Sequence, residues 1–369
     1  MATKLAINNQ QPTTASEERS IVAVYDVNSG KEQDCHQSIL EAVAQAMESA
    51  CWREFITPKA DVSLKVNLGW DCFMPGAVTS PWVLEGVVRV IRDYAGRIYV
   101  VESDQVLVSA DKALQCSGIG EMCRLLGVEW VNMSRLQERA VSLEEGYIFK
   151  SVMVPEILLR TEVITIPVMK THNKTVITGS LKNQWGCIGK LRHNYHPVVH
   201  QAIADVNRAV HPRFAVMDGT VGMEGNAPKS GRPRIADLIL ASGDLVALDT
   251  VQSLITGFDP GAVKHLEFSS AAGLGANKLE SIEIRGRNID GLNLAFMPAV
   301  DNLVSRVEVM LRSSIWRRLV FDTGLFDFFC WGANIWYAIW LALHGHALRK
   351  IAMDSPYGRQ WRGKGRDSG

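Results

Sequence analysis

The sequence predicts an α/β protein: a doubly wound, mostly parallel sheet with helices on both faces, followed by a C-terminal helical extension. Three observations predict it. From residue 21 onward, short β-rich runs alternate with stretches of helical periodicity, the order that folds as repeated strand-helix-strand units. Several of the β-rich runs are apolar throughout, as strands covered on both faces are. The polar residues that punctuate the pattern fall just past the runs, at the strand ends where open α/β sheets bind ligands.

Taken in order, IVAVYDV (21–27) reads as the first strand and SILEAVAQAMESA (38–50) as a helix with Ile39, Leu40, Val43 and Met47 on one face. VSLKVNL (62–68) is the second strand. After a Gly/Pro loop, Ser80 and Pro81 have the residue types of a helix cap and first turn, and Val83, Leu84, Val87, Val88 and Ile91 form the apolar stripe behind them. RIYVVES (97–103), VEWVNM (128–133), VITIPVM (163–169), FAVMD (214–218) and LILAS (238–242) complete the strands. The expected organisation is a flexible polar tail over 1–20, an α/β domain over 21–290, and an apolar, aromatic helical extension with a basic tail over 291–369.

Composition narrows the function classes. The 39 Lys and Arg balance the 39 Asp and Glu, so no global field favours nucleic acid, and charge-driven recognition must come from local clusters. The 7 cysteines are scattered without a C-x-x-C pair, which argues against a disulfide framework, a zinc ribbon or a built-in iron-sulfur cluster. Residues 1–20 lack the apolar core and small-residue cleavage site of a signal peptide, and the expected location is the cytoplasm.

The strand ends supply the candidate site. Asn67 follows the second strand, Glu102 and Asp104 the third, Lys170 and His172 the run VITIPVM, Asp218 the run FAVM and Asp244 the run LILAS. Asp244 has two readings, a site residue or the N-cap of the helix that begins LVALDTV. The segment KTHNKTVITGSLKNQWGCIGKLRHNYH (170–196) has the composition of an anion trap. In it Lys170, Lys182 and Lys190 offer charge, Asn183 a directional hydrogen bond, and His172, His193 and His196 groups that move a proton or, when neutral, ligate a metal. A solvated basic loop is the alternative, though Trp185, Cys187 and Ile188 in its middle point to packing against the core.

In DGTVGMEGN (218–226), Asp218 and Glu224 sit on a glycine-punctuated stretch, where two carboxylates bind a divalent cation or divide acid and base roles; equally, Asp218 stabilises its own turn. The metal candidates are Asp218, Glu224, His193 and His196. Asp249 lies in an otherwise apolar helix, and burial there demands a partner such as Lys182 or Lys170. There is no Walker loop, complete dinucleotide fingerprint, G-x-S-x-G or H-E-x-x-H.

The 170–196 segment, followed by DGTVGMEGNAPKSGRPR (218–234), LILASGDLVALDTV (238–251), GFDP (257–260) and GLG (273–275), resembles the family called domain of unknown function 362, in wording and in order. KVNLGW (65–70) and VVESD (100–104) are similar to that family's K-x-N strand end and its following acidic strand. The resemblance covers about residues 60–287 and implies a shared α/β fold and a shared site, but no settled reaction. Relatives often carry a ferredoxin-type module, whose cysteine runs this chain lacks. The spacing of histidines around GSLKN also resembles the lactate racemase family, which implies a metal-cofactor racemase or oxidoreductase as an alternative.

Beyond residue 290 the character changes. LVFDTGLFDFFCWGANIWYAIWLALH (319–344) is dense in Phe, Trp and Leu and bracketed by Arg312, Arg317 and Arg318 and by Arg349, Lys350, Arg359 and Arg362. Its uninterrupted apolar part is at the short limit for a bilayer of ~30 Å, and basic flanks on both sides disfavour a single crossing. The reading is an in-plane helix at the inner face of a membrane; packing on the core or a homodimer contact is the alternative. The functional expectation is an enzyme acting on a small carboxylate- or phosphate-bearing substrate. Asn67, Lys170, Lys182, Asn183 and Lys190 bind it, His172 or His193 moves a proton, and Asp218 with Glu224 binds a metal or acts as base. The competing class is a non-enzymatic binding or scaffold protein at a membrane surface.

Overall fold

The computed structural model describes residues 19–27, 34–300, 303–315, 317–321 and 323–362. The expected polar tail lies outside the described residues except for Arg19 and Ser20. In chain order the strands are β1 (Ser20–Asp26), β2 (Val62–Val66), β3 (Ile98–Glu102), β4 (Glu129–Asn132), β5 (Glu138–Ser142), β6 (Ser151–Pro155), β7 (Glu162–Ile166), β8 (Val168–His172), β9 (Val176–Thr178), β10 (Phe214–Asn226), β11 (Ser230–Ser242) and β12 (Ile282–Gly286). The helices are α1 (Cys35–Ser49), α2 (Pro81–Ile91), α3 (Ala110–Ser117), α4 (Ile119–Leu126), α5 (Glu156–Arg160), α6 (Ser180–Asn183), α7 (Val199–Val210), α8 (Leu245–Thr256), α9 (Lys264–Ala271), α10 (Leu303–Ser313), α11 (Arg317–Phe321) and α12 (Leu325–Met353).

Among the described residues one sheet runs β12-β1-β11-β10-β7-β2-β3-β4, with β8 beside β10 and β9 beside β8. The stretch β10-β7-β2-β3-β4 is parallel, as repeated strand-helix-strand order demands. β11 is antiparallel to both β1 and β10. This long β10–β11 hairpin departs from the sequence reading, which took residues 218–226 for a glycine-punctuated loop. Its glycines and polar residues carry little strand propensity, and pairing from Ala215↔Ser242 to Asn226↔Ser230 holds them extended.

Side-chain alternation divides the core. Ala23, Val216 and Ile239 pack with α1 and α2, whereas Val22, Met217 and Leu240 pack with α7 and α8, so successive residues of one strand serve opposite helical layers. This is why the strands read as apolar throughout. Asp244 is the N-cap of α8, its carboxylate accepting from the Ala247 amide at 2.9 Å.

The C-terminal extension folds onto the α1/α2 side. Tyr337 and Ala352 of α12, with Tyr357 and Trp361 beyond it, join that core, and the Trp361 indole donates to the Ser117 carbonyl at 3.1 Å. The opposite side of α12 stays exposed at Phe328, Trp331, Ile335, Ile339 and Leu343, a stripe at i, i+3, i+7, i+11 and i+15. Among the described residues no helix is long and apolar enough to cross a membrane.

Candidate functional site

Several chain segments meet beyond the carboxyl edge of the parallel strands and enclose a cavity of about 290 Å³. β2 ends at Val66 and delivers Asn67, β3 ends with Glu102, and β8 places Lys170 and His172 two residues apart on one face. The turn from α6 onward adds Lys182, Asn183, Trp185, Arg192, His193 and His196 to the lining. Asn67, Lys170, His172, Lys182, Asn183, His193 and His196, separate in sequence, therefore share one cavity. The side chain of Lys190 lies outside the described residues.

The floor is a hydrogen-bonded chain of buried polar groups. Lys65 Nζ donates to Glu102 Oε2 at 2.9 Å, with both side chains sealed from solvent. Glu102 also accepts from the amides of Leu68 at 3.2 Å and Ser103 at 2.8 Å, tying together the loops that leave β2 and β3. Lys170 Nζ donates to Asn67 Oδ1 at 2.5 Å and to the Ala77 carbonyl at 3.0 Å. Asn67 Nδ2 donates to Asn183 Oδ1 at 2.9 Å, and Asn183 Nδ2 to Thr165 Oγ1 at 2.8 Å. Gly186 lets the α6 turn lie against this floor, since a Cβ there would fall 2.6 Å from Glu102 Oε1 and 2.9 Å from Lys65 Nζ.

Lys182 differs from its neighbours. It lines the cavity, yet its ammonium makes no hydrogen bond or ion pair among the described residues. Burial, with Lys174 and Arg192 nearby, pulls its pKa down to about 7. Lys170 is likewise lowered to about 7, chiefly by burial and then by Lys182. His172 Nδ1 accepts from the Lys174 amide at 3.0 Å, which leaves the proton on Nε2, and burial holds the ring neutral, well below its ordinary pKa.

A wall of the cavity comes from the C-terminal extension. Glu308 of α10 accepts from Lys174 Nζ at 2.6 Å and from Arg312 Nε at 2.9 Å, and its Oε1 lies 2.9 Å from His196 Nδ1. Burial raises its pKa, but the contacts of His196 and Lys174 outweigh burial and hold the carboxyl well below the usual range. Burial lowers His196 to about 4 even beside this carboxylate.

The acidic candidates do not meet in the cavity. Asp218 is buried one layer below, accepting from the Ser80 amide at 2.8 Å and from Thr220 Oγ1 at 2.6 Å. It thus stabilises its own turn and the start of α2. Glu224 accepts from the Met297 amide at 3.2 Å and faces Arg232 at 3.9 Å. Among the described residues no group of three or more His, Cys, Asp or Glu side chains is gathered to hold a metal ion, and Asp218 and Glu224 are not in the lining of the cavity that His193 and His196 share. Asp249 is also corrected: its partners are the Ser180 amide and hydroxyl at 2.6 and 2.7 Å and the Leu181 amide at 3.0 Å, not a lysine. A short helix start satisfies a buried carboxylate with fixed amides, a solution spacing does not reveal. A Cβ on Gly179 would sit 2.2 Å from Asp249 Oδ1, so this contact requires glycine.

Sequence reasoning missed Lys65 as the partner of Glu102, and Lys174, Arg192 and Glu308 as cavity walls. The K-x-N strand end was the available signal for Lys65. Glu308, 134 positions from Lys174, had none.

The fold and the cavity define an α/β protein with a cationic cup at the carboxyl edge of its parallel strands. The chain belongs to the family described as domain of unknown function (DUF362), whose profile matches residues 62–253. It is similar to the thylakoid-associated protein sll1697 of Synechocystis sp., 27% identical over 245 residues, covering 61% of this chain and 72% of that protein. Among solved structures it is similar to the lactate racemase apoprotein of Thermoanaerobacterium thermosaccharolyticum, with TM-score 0.36 and 10% identity, over 81% of this chain and 91% of that one.

Proposed function

We propose that the cup binds a small anionic ligand through a carboxylate or phosphate group and that the protein is an enzyme doing acid/base chemistry on it. The observation that carries this reading is Lys182, a cavity-lining lysine that makes no hydrogen bond or ion pair among the described residues, in surroundings that disfavour its charge. An anion repairs that deficit and supplies the missing partner. With pKa values near 7, Lys182 and Lys170 both gain and lose protons at neutral pH, the condition for a general acid or base. His172 stays neutral with its Nε2–H available, so its role is to donate to a ligand oxygen, and proton transfer passes from the histidines to Lys182.

The pH dependence tests this reading. A bound anion favours the ammonium forms, so affinity is greatest below pH 7 and falls as pH rises through the free lysine pKa of about 7. Calorimetric titration with butanoate, whose charge is constant above pH 6, is expected to show an affinity about tenfold lower per pH unit between 7 and 9. Affinity independent of pH over that range overturns the assignment.

A second reading concerns location, and the exposed apolar stripe of α12 favours it. We propose that this stripe, with Arg349, Lys350, Arg359 and Arg362 after it, rests in the surface of an anionic membrane without spanning it. Cosedimentation with vesicles of anionic lipid is expected, and replacing Phe328, Trp331 and Leu343 together by Ser is expected to reduce it at least about tenfold, given ~1.5–3 kcal/mol per large apolar side chain buried. A concentration-dependent homodimer with no vesicle binding overturns this reading and assigns the stripe to a second copy.

A further inference from the structure

The cationic cup does not end at its own wall. His193, His196, Glu308, Val106 and Leu107 line it from one side and from the other line a second cavity of about 420 Å³. The remaining walls of that second cavity include Leu311 of α10, Phe321 of α11, and Phe326, Phe329, Ala333 and Trp336 of α12. At the junction the His193 ring lies flat on Phe326, with 4.5 Å between centroids and 7° between planes, so a polar wall becomes an apolar one within one side chain. Arg312 keeps its aliphatic part and guanidinium over the Phe321 ring at 4.2 Å while its charge is directed to Glu308.

We propose that the two cavities hold one ligand, a single-chain monocarboxylate whose head lies at Lys182 and whose alkyl chain runs past His193 into the Phe-lined space. The proposal rests on the reading that the cup takes an anion, and it names the rest of that ligand. A carboxylate head fits Lys182, because Lys65 is matched by Glu102, Lys174 and Arg312 share Glu308, and Lys170 and Arg192 already donate to neutral oxygens of the floor and walls. One chain is indicated by the volume, which takes on the order of a dozen methylene groups if each needs about the 30 Å³ of a water molecule in the liquid. The exposed stripe on the same helix, α12, places the entrance for such a chain beside the proposed membrane face.

The experiment is calorimetric titration of the full chain with butanoate, octanoate and dodecanoate, repeated with Gly332→Phe and Ala333→Phe, which fill the apolar cavity from α12. A Cβ at Gly332 meets no atom within 4 Å, so that side chain leaves the backbone without a clash. Affinity is expected to rise about threefold for each added methylene, and either variant is expected to lower dodecanoate affinity at least tenfold while leaving butanoate unchanged. Butanoate binding without any gain from chain length overturns the composite site and leaves the anion reading standing. The same holds if dodecanoate gains affinity but ignores both variants, because its chain then lies elsewhere. Failure of all three carboxylates to bind overturns both readings.

Discussion

Lys182→Met is expected to lower butanoate affinity by roughly 100-fold, the scale of removing one member of a buried, hydrogen-bonded charge pair. It is also expected to leave the melting temperature at pH 7 unchanged or higher. The second half distinguishes a ligand site from a structural one. The unfolded chain holds the Lys182 proton up to its ordinary pKa of 10.5, whereas the folded protein releases it near 7. Between those values the unfolded state binds more protons, so the native protein gains stability as pH rises from 7 towards 10.5, and below 7 the full cost of the buried ammonium is present. Removing the amine removes that cost. Titration and thermal melts at pH 6, 7 and 9 check both halves. A fall in melting temperature alongside lost binding shows that Lys182 holds the fold together instead.

Lys65→Met is expected to do the opposite, costing about 3–5 kcal/mol of stability, because it strands the Glu102 carboxylate in a sealed site. Glu102 keeps its bonds from the Leu68 and Ser103 amides, so the loops stay attached but with an unmatched charge beneath the cup. Lys65→Met/Glu102→Gln is expected to recover much of the loss, since it removes the stranded charge. Chemical denaturation of the two single variants and the double variant measures the coupling. A cost for Lys65→Met below about 1 kcal/mol, the range of exposed pairs, overturns the view that this pair is the floor of the cup.

The two substitutions bracket the site: one removes the group proposed to meet a ligand, while the other removes part of the platform beneath the cup. Both are lysines within the same local cluster. Lys65 is fully buried and matched by the Glu102 carboxylate, whereas Lys182 is partly buried and makes no ion pair among the described residues.

Much of the architecture was legible before any tertiary information. Strands buried on both faces are rich in Val, Ile and Leu, and that local chemistry is enough to mark β2, β3, β7, the start of β10 and the end of β11. The cap of α8 at Asp244 was equally local. So was the expectation that Lys170 and His172 face one site, since they stand two residues apart at a strand end. The β10–β11 hairpin was not legible, because Gly219 and Gly222 are held extended by a partner strand and not by their own preferences.

The amino-acid sequence alone determined the alternation of strands and helices, the edge of the sheet where polar groups gather, and the cationic character of residues 170–196, for these follow from residue type and period. Only the tertiary structure decided which charges cancel. Asp218 and Asp249 turned to backbone amides, Glu102 took Lys65, Glu308 came from a distant helix to take Lys174, and among the described residues Lys182 was left without a carboxylate. Charge is written in a side chain, but its partner is fixed by distances of a few ångströms between groups far apart in the chain, where Coulomb and hydrogen-bond energies are settled.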